Sequence, residues 1–135
     1  VRFQSLALRT DSGGAGQYRG GLGVRKMVEV LRDCHLNVSM DRTRCPPWGV
    51  KSGLDGQPGQ VMINPDSAQP IPLRKADRSL SAGDVVLVDS GGGGGYGDPH
   101  SRDPEAVETD LRRGYISIEA AQKTYGAHPK KETLS

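Results

Sequence analysis

The sequence has few aromatic residues, only two cysteines and no long apolar run, and each shortage excludes a class of protein. Only 4% of the 135 residues are aromatic, and 19 glycines and nine prolines argue against a compact helical bundle. No apolar stretch is long enough to span a bilayer and no signal peptide is recognisable, so we expect a cytoplasmic protein without a membrane partner. In that compartment Cys34 and Cys45 are expected to stay reduced.

An excess of one charge is also missing. Eighteen Lys and Arg residues are interspersed with sixteen Asp and Glu residues, so the formal net charge is only +2. Nucleic-acid-binding domains carry basic patches or stripes, and this balance predicts no nucleic-acid partner. The length fits a single domain with one modest core.

The glycine run Gly91 to Gly95 lacks the companions of a phosphate-binding loop. A P-loop ends in Lys and Ser or Thr, whereas here Tyr96-Gly97-Asp98-Pro99 follows. Asp98 would repel a phosphate and Pro99 has no N–H to donate. An anion-binding nest of backbone N–H groups stays open as the less favoured alternative.

Motifs for nucleophilic catalysis and metal binding are missing as well. There is no G-x-S-x-G sequence, and the three histidines suggest no evident base, so we expect no catalytic residue in this chain. Cys34, His35, Cys45 and either His100 or His128 are the candidate metal ligands. They show no C-x-x-C or H-x-x-x-H spacing, and adjacent strand residues point to opposite faces. We therefore predict no metal site and no cofactor-binding residue here.

Glycine is instead what the sequence has in abundance, mostly within residues 11–23, 45–59 and 89–99. Without Cβ atoms, such segments can run as extended, polyproline-II-like rods at very short range past another backbone. We therefore expect the run Gly91 to Gly95 to serve packing, so that Gly93→Val costs a few kcal/mol and releases the chain from a larger partner. In the same segments Arg19 is expected to fork onto a carboxylate or onto carbonyls. Trp48 is expected to be a core anchor, with a binding platform as the alternative.

The rest of the chain indicates an α+β fold that is mainly β. Strands are predicted at 1–10, 24–33, 36–41, 61–63 and 71–74, with a hairpin about residues 33–35. The apolar run Val85 to Val88 predicts a core strand covered on both faces. Two-layer or barrel-like sheets would be joined by the glycine-rich loops.

Two to three short helices complete the predicted fold. Asp103-Pro104 is an N-cap followed by proline, Gly114 ends that helix, and Ser117 starts the next, giving helices at 103–113 and 117–125. We expect one domain over residues 1–126 and a polar tail over 127–135.

Three ordered motifs resemble a known family. The stretches "LRTDSGGAGQYRGGLGV", "DRTRCPPWGVKSGLDGQPG" and "GDVVLVDSGGGGGYGDPHSRDPEAVETDLRRGYISIEAAQKTYG" resemble the C-terminal region of the hydantoinase B family. That family includes N-methylhydantoinase and 5-oxoprolinase segments and the related subunits of acetone and acetophenone carboxylases. The resemblance covers residues 6–126, although Asp89-Ser90 stands where the family usually has Thr-Pro.

The resemblance implies a subunit or C-terminal module of an ATP-dependent enzyme complex. A hydantoinase-A-like subunit with ATP and Mg would phosphorylate a carbonyl or enol-type oxygen. A larger hydantoinase-B-like subunit, with a divalent metal such as Zn or Mn, would house ring opening or carbon–carbon bond formation. We rank a small assembly subunit of an acetophenone-type carboxylase first and an N-methylhydantoinase or 5-oxoprolinase part second. A non-enzymatic nucleotide-binding module is the third alternative.

The residues assigned to structural or interface roles all lie in the three glycine-rich segments, and the chain alone is expected to be inactive. They are Asp11, Gly13, Gly14, Arg19, Gly20, Gly21, Pro47, Trp48, Gly49, Gly92, Gly93, Gly94, Tyr96, Gly97, Asp98 and Pro99.

Overall fold

The computed structural model of the chain describes residues 1–127, which contain seven β-strands and two α-helices. The strands are β1 (Arg2–Leu8), β2 (Val24–Glu29), β3 (Cys34–Ser39), β4 (Gln60–Ile63), β5 (Ile71–Leu73), β6 (Lys75–Leu80) and β7 (Val85–Asp89). A 3-10 turn at Pro99–Ser101 precedes α1 (Pro104–Arg112) and α2 (Ile118–Lys123). None of these helices is long and apolar enough to cross a bilayer.

Five strands form one antiparallel sheet in the order β1-β2-β7-β4-β5. The central strand is β7, whose Val86 lies opposite Val28 of β2 and Ile63 of β4. Val86 and Leu87 are both buried although they point to opposite faces of the sheet. The predicted core strand at residues 85–88 is therefore confirmed.

The remaining strands, β3 and β6, form a separate two-stranded sheet. The predicted hairpin about residues 33–35 is wrong, because both edges of β2 are already paired, with β1 and with β7. Strand β6 was not predicted, because its residues do not alternate between apolar and polar over most of their length. Its partner is β3, with Cys34 opposite Leu80 and Val38 opposite Ala76.

The two sheets stack, and the main core lies between them. Val38 and Leu80 of the small sheet pack with Val61, Ile63 and Val86 of the large sheet. This arrangement confirms the predicted mainly β, α+β fold in its two-layer form, since both sheets are open.

Both helices begin at the predicted caps. The Asp103 side chain accepts a hydrogen bond from the Glu105 N–H, and the Ser117 hydroxyl accepts one from the Ala120 N–H. The helices form a second core cluster with Ala15 of the first glycine-rich segment. Ala127 packs against this cluster, while residues 128–135 of the predicted tail lie outside the described residues.

Candidate functional site

Three glycine-rich segments, residues 11–23, 47–59 and 90–97, lie side by side and form what we call the glycine bundle. The segment 90–97 is hydrogen-bonded to both of the others. The Gly93 N–H donates to the Gly21 carbonyl at 2.8 Å, and the Gly14 N–H donates to the Gly93 carbonyl at 2.8 Å. On the other side, the Gly95 N–H donates to the Leu54 carbonyl at 2.9 Å. The bundle is thus held together by backbone groups.

Most glycines of the bundle are required by the closeness of the neighbouring backbone. A Cβ at Gly92 would collide with the Ser12 carbonyl, and one at Gly94 would collide with the Trp48 carbonyl. Backbone atoms cannot rotate away as a side chain can, so even alanine forces the segments apart. Among the other predicted residues, the same collision with backbone occurs at Gly13, Gly14, Gly20 and Gly49.

Two glycines of the predicted set are less confined. An added Cβ at Gly93 would lie 3.2 Å from the Gly21 amide nitrogen, and one at Gly21 would meet nothing within 4 Å. Gly93 is therefore not the most sensitive position of the run, and its neighbours Gly92 and Gly94 are tighter. Sequence alone cannot make this distinction, because it depends on which way each Cα–H bond points.

Three of the five N–H groups of the glycine run are already hydrogen-bonded to carbonyls, which argues against a phosphate cradle. The N–H groups of Gly92, Gly93 and Gly95 donate to the carbonyls of Gln57, Gly21 and Leu54 at 3.0, 2.8 and 2.9 Å. A phosphate could use these donors only by breaking the hydrogen bonds that hold the bundle together. These three N–H groups already hold the segments of the bundle together.

The C-terminal end of the run is a capped turn. Gly97 has a φ of 76°, a left-handed conformation that favours glycine. Asp98 caps the following 3-10 turn by accepting a hydrogen bond from the His100 N–H at 2.9 Å, and Pro99 is the buried first residue of that turn. These residues direct the chain from the bundle into the helices.

Arg19 ties the bundle to α1 through a nearly buried carboxylate. Its Nε and Nη2 donate to the two oxygens of Asp110 at 2.9 and 3.3 Å, and its Nη1 donates to the Gly20 carbonyl at 2.8 Å. The predicted fork of Arg19 onto a carboxylate is confirmed. Arg102 Nη2 donates to the same carboxylate at 2.8 Å, so that two cations share Asp110.

Two further contacts fix the ends of the first two segments. The Asp11 carboxylate accepts a hydrogen bond from the Ser117 N–H at 2.8 Å, at the start of α2. Asp11 itself has a φ of 59°, which a short polar side chain tolerates better than most. The Pro47 carbonyl accepts a hydrogen bond from the Gly56 N–H at 2.9 Å and closes the 47–59 segment.

Asp89 is a buried charge centre that was not predicted from the sequence. It ends β7 directly before the glycine run and is fully buried. Arg25 donates to both its oxygens at 2.8 and 2.7 Å, and Gln60 Nε2 donates at 2.8 Å. Arg9 lies 3.6 Å from the carboxylate and also donates to the carbonyls of Pro58 and Ser90. One acidic residue therefore joins three strands to the bundle.

The pKa of Asp89 results from two opposing effects. Burial raises the pKa of this carboxyl, but the hydrogen bonds from Arg25 and Gln60 and the charges of Arg9 and Arg25 outweigh burial and hold the pKa below its usual range. A lowered folded-state pKa contributes stability above the unfolded-state pKa, and this stability is lost as the pH falls through the folded-state pKa.

We predict that the gap in unfolding free energy between the wild type and Asp89→Asn depends on pH. The gap is expected to be largest above about pH 4 and to shrink as the pH falls towards about pH 2, because only the wild type loses a charge at this position. Urea unfolding at a series of pH values measures it. A gap that stays constant over this range would show that the Asp89 charge contributes nothing.

Aromatic residues lie on the surface of the bundle. Trp48 is 68% exposed, so the prediction that it is a core anchor is wrong. Its backbone, not its ring, fills the space beside Gly94, and the ring is free to stack with the Arg42 guanidinium 5.5 Å away. Tyr96 is paired through its backbone with Tyr18, and its ring lies 5.6 Å from Lys51 Nζ.

A row formed by Ser79, His35 and Asp77 on the small sheet was also not predicted from the sequence. His35 Nδ1 lies 3.3 Å from Ser79 Oγ, and His35 Nε2 lies 2.6 Å from Asp77 Oδ1. The sequence shows no partner for this histidine, because the three residues come together only through the pairing of β3 with β6. All three side chains are exposed on an open strand face, where water competes with any developing charge. The arrangement lacks the enclosure that triad catalysis requires.

The candidate metal ligands do not converge. Within residues 1–127, no three His, Cys, Asp or Glu side chains are grouped so that they could hold a metal ion. Cys34 and Cys45 are free, exposed thiols. His100 pairs with Asp98 at 3.2 Å, and His128 lies outside the described residues.

Comparison with known proteins shows which family the chain belongs to. A family model described as Hydantoinase B/oxoprolinase matches residues 1–99. The chain belongs to this family. An uncharacterized protein of Methanocaldococcus jannaschii is 44% identical over 126 residues, which is 93% of this chain and 22% of the relative. The putative B component of a D-/L-hydantoinase from Pseudomonas sp. is 32% identical over 129 residues, again 93% of this chain and 22% of the relative.

Two solved structures share the fold. The crystal structure of ATP-dependent caprolactamase from Pseudomonas jessenii superposes with a TM-score of 0.80 at 30% identity, over 96% of this chain and 23% of that chain. Nucleotide-free acetone carboxylase gives a TM-score of 0.72 at 21% identity, over 96% and 22%, and at that identity it shows the fold alone. The chain thus spans about a fifth of the length of these four proteins.

Proposed function

We propose that residues 1–127 act as a structural module of a hydantoinase-B-like subunit in an ATP-dependent enzyme complex. The glycine bundle is the observation that carries this proposal. Many of its backbone donors and acceptors join the bundle's own segments, and most of its glycines lie so close to neighbouring backbone that no side chain fits there. A unit of this kind would give the rest of the subunit a rigid structural support. The length comparison supports a module, because this chain covers only 22% of each of these relatives.

Cyclic amides are the substrate class we propose for the complex. The relatives named as a hydantoinase component and a caprolactamase are at least 30% identical to this chain, and hydantoins and caprolactam are both cyclic amides. Relatives named 5-oxoprolinase act, by name, on a third cyclic amide. Ketone carboxylation, ranked first from the sequence, is supported by the fold of acetone carboxylase only. We keep it, in its acetophenone form, as the second candidate.

ATP with Mg, and a divalent metal such as Zn or Mn, would act in other parts of this complex. The described residues do not fit a nucleotide, because the N–H groups of Gly92, Gly93 and Gly95 are occupied and Tyr96-Gly97-Asp98-Pro99 stands where a P-loop has Lys and Ser or Thr. They do not fit a metal either, because no three suitable ligands are grouped within residues 1–127. We therefore propose that a hydantoinase-A-like subunit holds ATP and that the larger part of the hydantoinase-B-like subunit holds the reacting amide.

The isolated chain is expected to hydrolyse neither ATP nor a cyclic amide. The direct test is a chimera in which residues 1–127 replace the matching segment of the full-length Pseudomonas jessenii caprolactamase β subunit, expressed with its partner subunit. The chimera is expected to retain ATP-dependent caprolactamase activity, whereas the chain alone shows none. ATP hydrolysis by the chain alone that a point substitution in it abolishes, or a chimera that folds without activity, would contradict the proposal.

A further inference from the structure

Strand β1 presents an apolar surface that nothing within the described residues covers. Phe3 and Leu6 are 65% and 70% exposed, and Leu8 and Val24 are also exposed. We call these four residues the open apolar face. A domain that is complete in itself rarely exposes several such residues together near the edge of a sheet.

The four residues lie on one face of the large sheet. Directly opposed residues of antiparallel strands share a face, and Leu8 lies opposite Val24 while Phe3 lies opposite Val28. Residues 3 and 6 would normally point to opposite faces, but an irregularity of the register between Phe3 and Ser5 turns Phe3 to the side of Leu6. This bulge adds an aromatic ring to the open apolar face.

This is the same face that forms the core elsewhere in the sheet. Val28 lies opposite Val86, which lies opposite Ile63, and Val86 and Ile63 are buried under the small sheet. The small sheet therefore covers the β7-β4-β5 side and leaves the β1-β2 side open. The same face of the large sheet is therefore buried at β7, β4 and β5, and it carries exposed apolar residues at β1 and β2.

The edge of β1 is free as well. Within residues 1–127, β1 pairs with β2 alone, and all seven of its residues are exposed. An unpaired edge offers a row of N–H and C=O groups to an added strand. Arg2 and Glu29 lie opposite each other at one end of β1 and β2, on the other face of the sheet. Lys26, whose Nζ lies 5.9 Å from the centre of the Phe3 ring, is therefore the single charged residue of β2 on the apolar face.

We infer that the open apolar face is covered by an apolar segment of the hydantoinase-B-like subunit, which packs on Phe3, Leu6, Leu8 and Val24 beside the free edge of β1. In the caprolactamase structure the same fold is 23% of a longer chain, and two sequence relatives match this chain over 22% of their own length. The occupant is thus a segment of the remaining part of that subunit. This inference rests on the proposed function, and it adds the face through which the module joins the rest.

Leu6→Glu is the variant that tests the face. Leu6 lies opposite Lys26, so a glutamate gains an opposite-charge partner across the strands and leaves the isolated chain folded. Leu31→Glu is the matched control, because Leu31 is an exposed leucine outside the face. Both variants are made in the isolated chain and in the caprolactamase β chimera, with its partner subunit, and Tm and ATP-dependent activity are measured.

In the isolated chain, both variants are expected to unfold within about a degree of the wild type, because each leucine is already in water. In the chimera, Leu6→Glu is expected to lower Tm by several degrees and activity at least tenfold, since the docked segment would take both the new carboxylate and Lys26 out of water, which can cost more than their attraction returns. Leu31→Glu is expected to leave both unchanged.

Three outcomes overturn the inference and leave the proposed function standing. Leu6→Glu could leave the chimera as stable as Leu31→Glu does, while the chimera itself is active; the module would then stand and the docking face would not. Leu6→Glu could destabilise the isolated chain as much as the chimera, which would place Leu6 in the module's own packing. The isolated chain could form a dimer that Leu6→Glu dissociates, which would make a second copy the occupant. An unfolded or inactive wild-type chimera overturns the proposed function, and the inference falls with it.

Discussion

Gly94→Ala is expected to destabilise the isolated chain by about 3 kcal/mol or more, at the upper end of the cost of overpacking. The added Cβ would collide with the Trp48 carbonyl. Because that carbonyl belongs to a backbone held on both sides by hydrogen bonds, the collision is relieved only by separating the segments of the bundle. Urea unfolding followed by circular dichroism measures the loss.

Two other alanine substitutions control for the flexibility of glycine. Gly21→Ala adds a Cβ that meets nothing within 4 Å, so it is expected to be neutral or to stabilise by a few tenths of a kcal/mol through the unfolded chain. Gly93→Ala brings its Cβ to 3.2 Å from the Gly21 nitrogen and is expected to fall between the other two. Equal effects at all three positions would mean that the bundle contacts are not what the glycines are needed for.

The features that the sequence predicted well depend on neighbours in the chain. Asp103-Pro104 and Ser117 start helices because their side chains accept hydrogen bonds from N–H groups two or three residues ahead. The run from Val85 to Val88 is central because four successive apolar residues need cover on both faces. Such signals are complete within a short stretch of chain, so they do not depend on knowing the fold.

The features that were missed depend on contacts between distant residues. Strand β6 has no clear alternation and becomes a strand because β3 pairs with it. His35 and Ser79 meet across 44 residues. The exposure of Trp48 also depends on distant residues, because the glycine-rich segments around it pack backbone against backbone and leave no cavity for an indole ring. Within the glycine bundle, backbone takes the place of the side chains that would enclose an aromatic ring in a side-chain core.

The sequence predicted the close packing of glycine-rich backbone at the candidate site, but it did not identify the two carboxylates, Asp110 and Asp89, that hold this backbone to its surroundings. Glycine density indicated close backbone packing, and Arg19 found its carboxylate as expected. The sequence could not show that Asp110 is that carboxylate, or that each of the three segments is hydrogen-bonded to the other two. It also left Asp89 unnoticed, although an acidic residue that ends a strongly apolar strand is a signal for a buried ion pair, because burial of a lone charge is too costly.

Asp89→Ala is expected to be the other severe substitution, with a loss of about 3–5 kcal/mol, the range for removing one partner from a buried ion pair. Arg9, whose side chain is largely buried, would lose its counter-charge, and Gln60 and Arg25 would lose their acceptor. These groups lie on or beside β1, β2 and β4, so the large sheet would loosen where it joins the bundle. Since small domains are stable by only about 5–15 kcal/mol, the variant is expected to unfold at a clearly lower temperature and urea concentration than the wild type.

Asp77→Ala is the matched control, because Asp77 also contacts a basic side chain, that of His35, at 2.6 Å, but in an exposed pair. An exposed pair contributes about 0–1 kcal/mol, so this variant is expected to unfold close to the wild type. Thermal and urea unfolding of both variants, measured at neutral pH, gives the comparison. Equal losses for Asp77→Ala and Asp89→Ala would show that burial of the Asp89 carboxylate among its three partners adds nothing. A loss of unfolding free energy that is several kcal/mol larger for Asp89→Ala would instead show that the Asp89 side chain is a main link between the large sheet and the bundle.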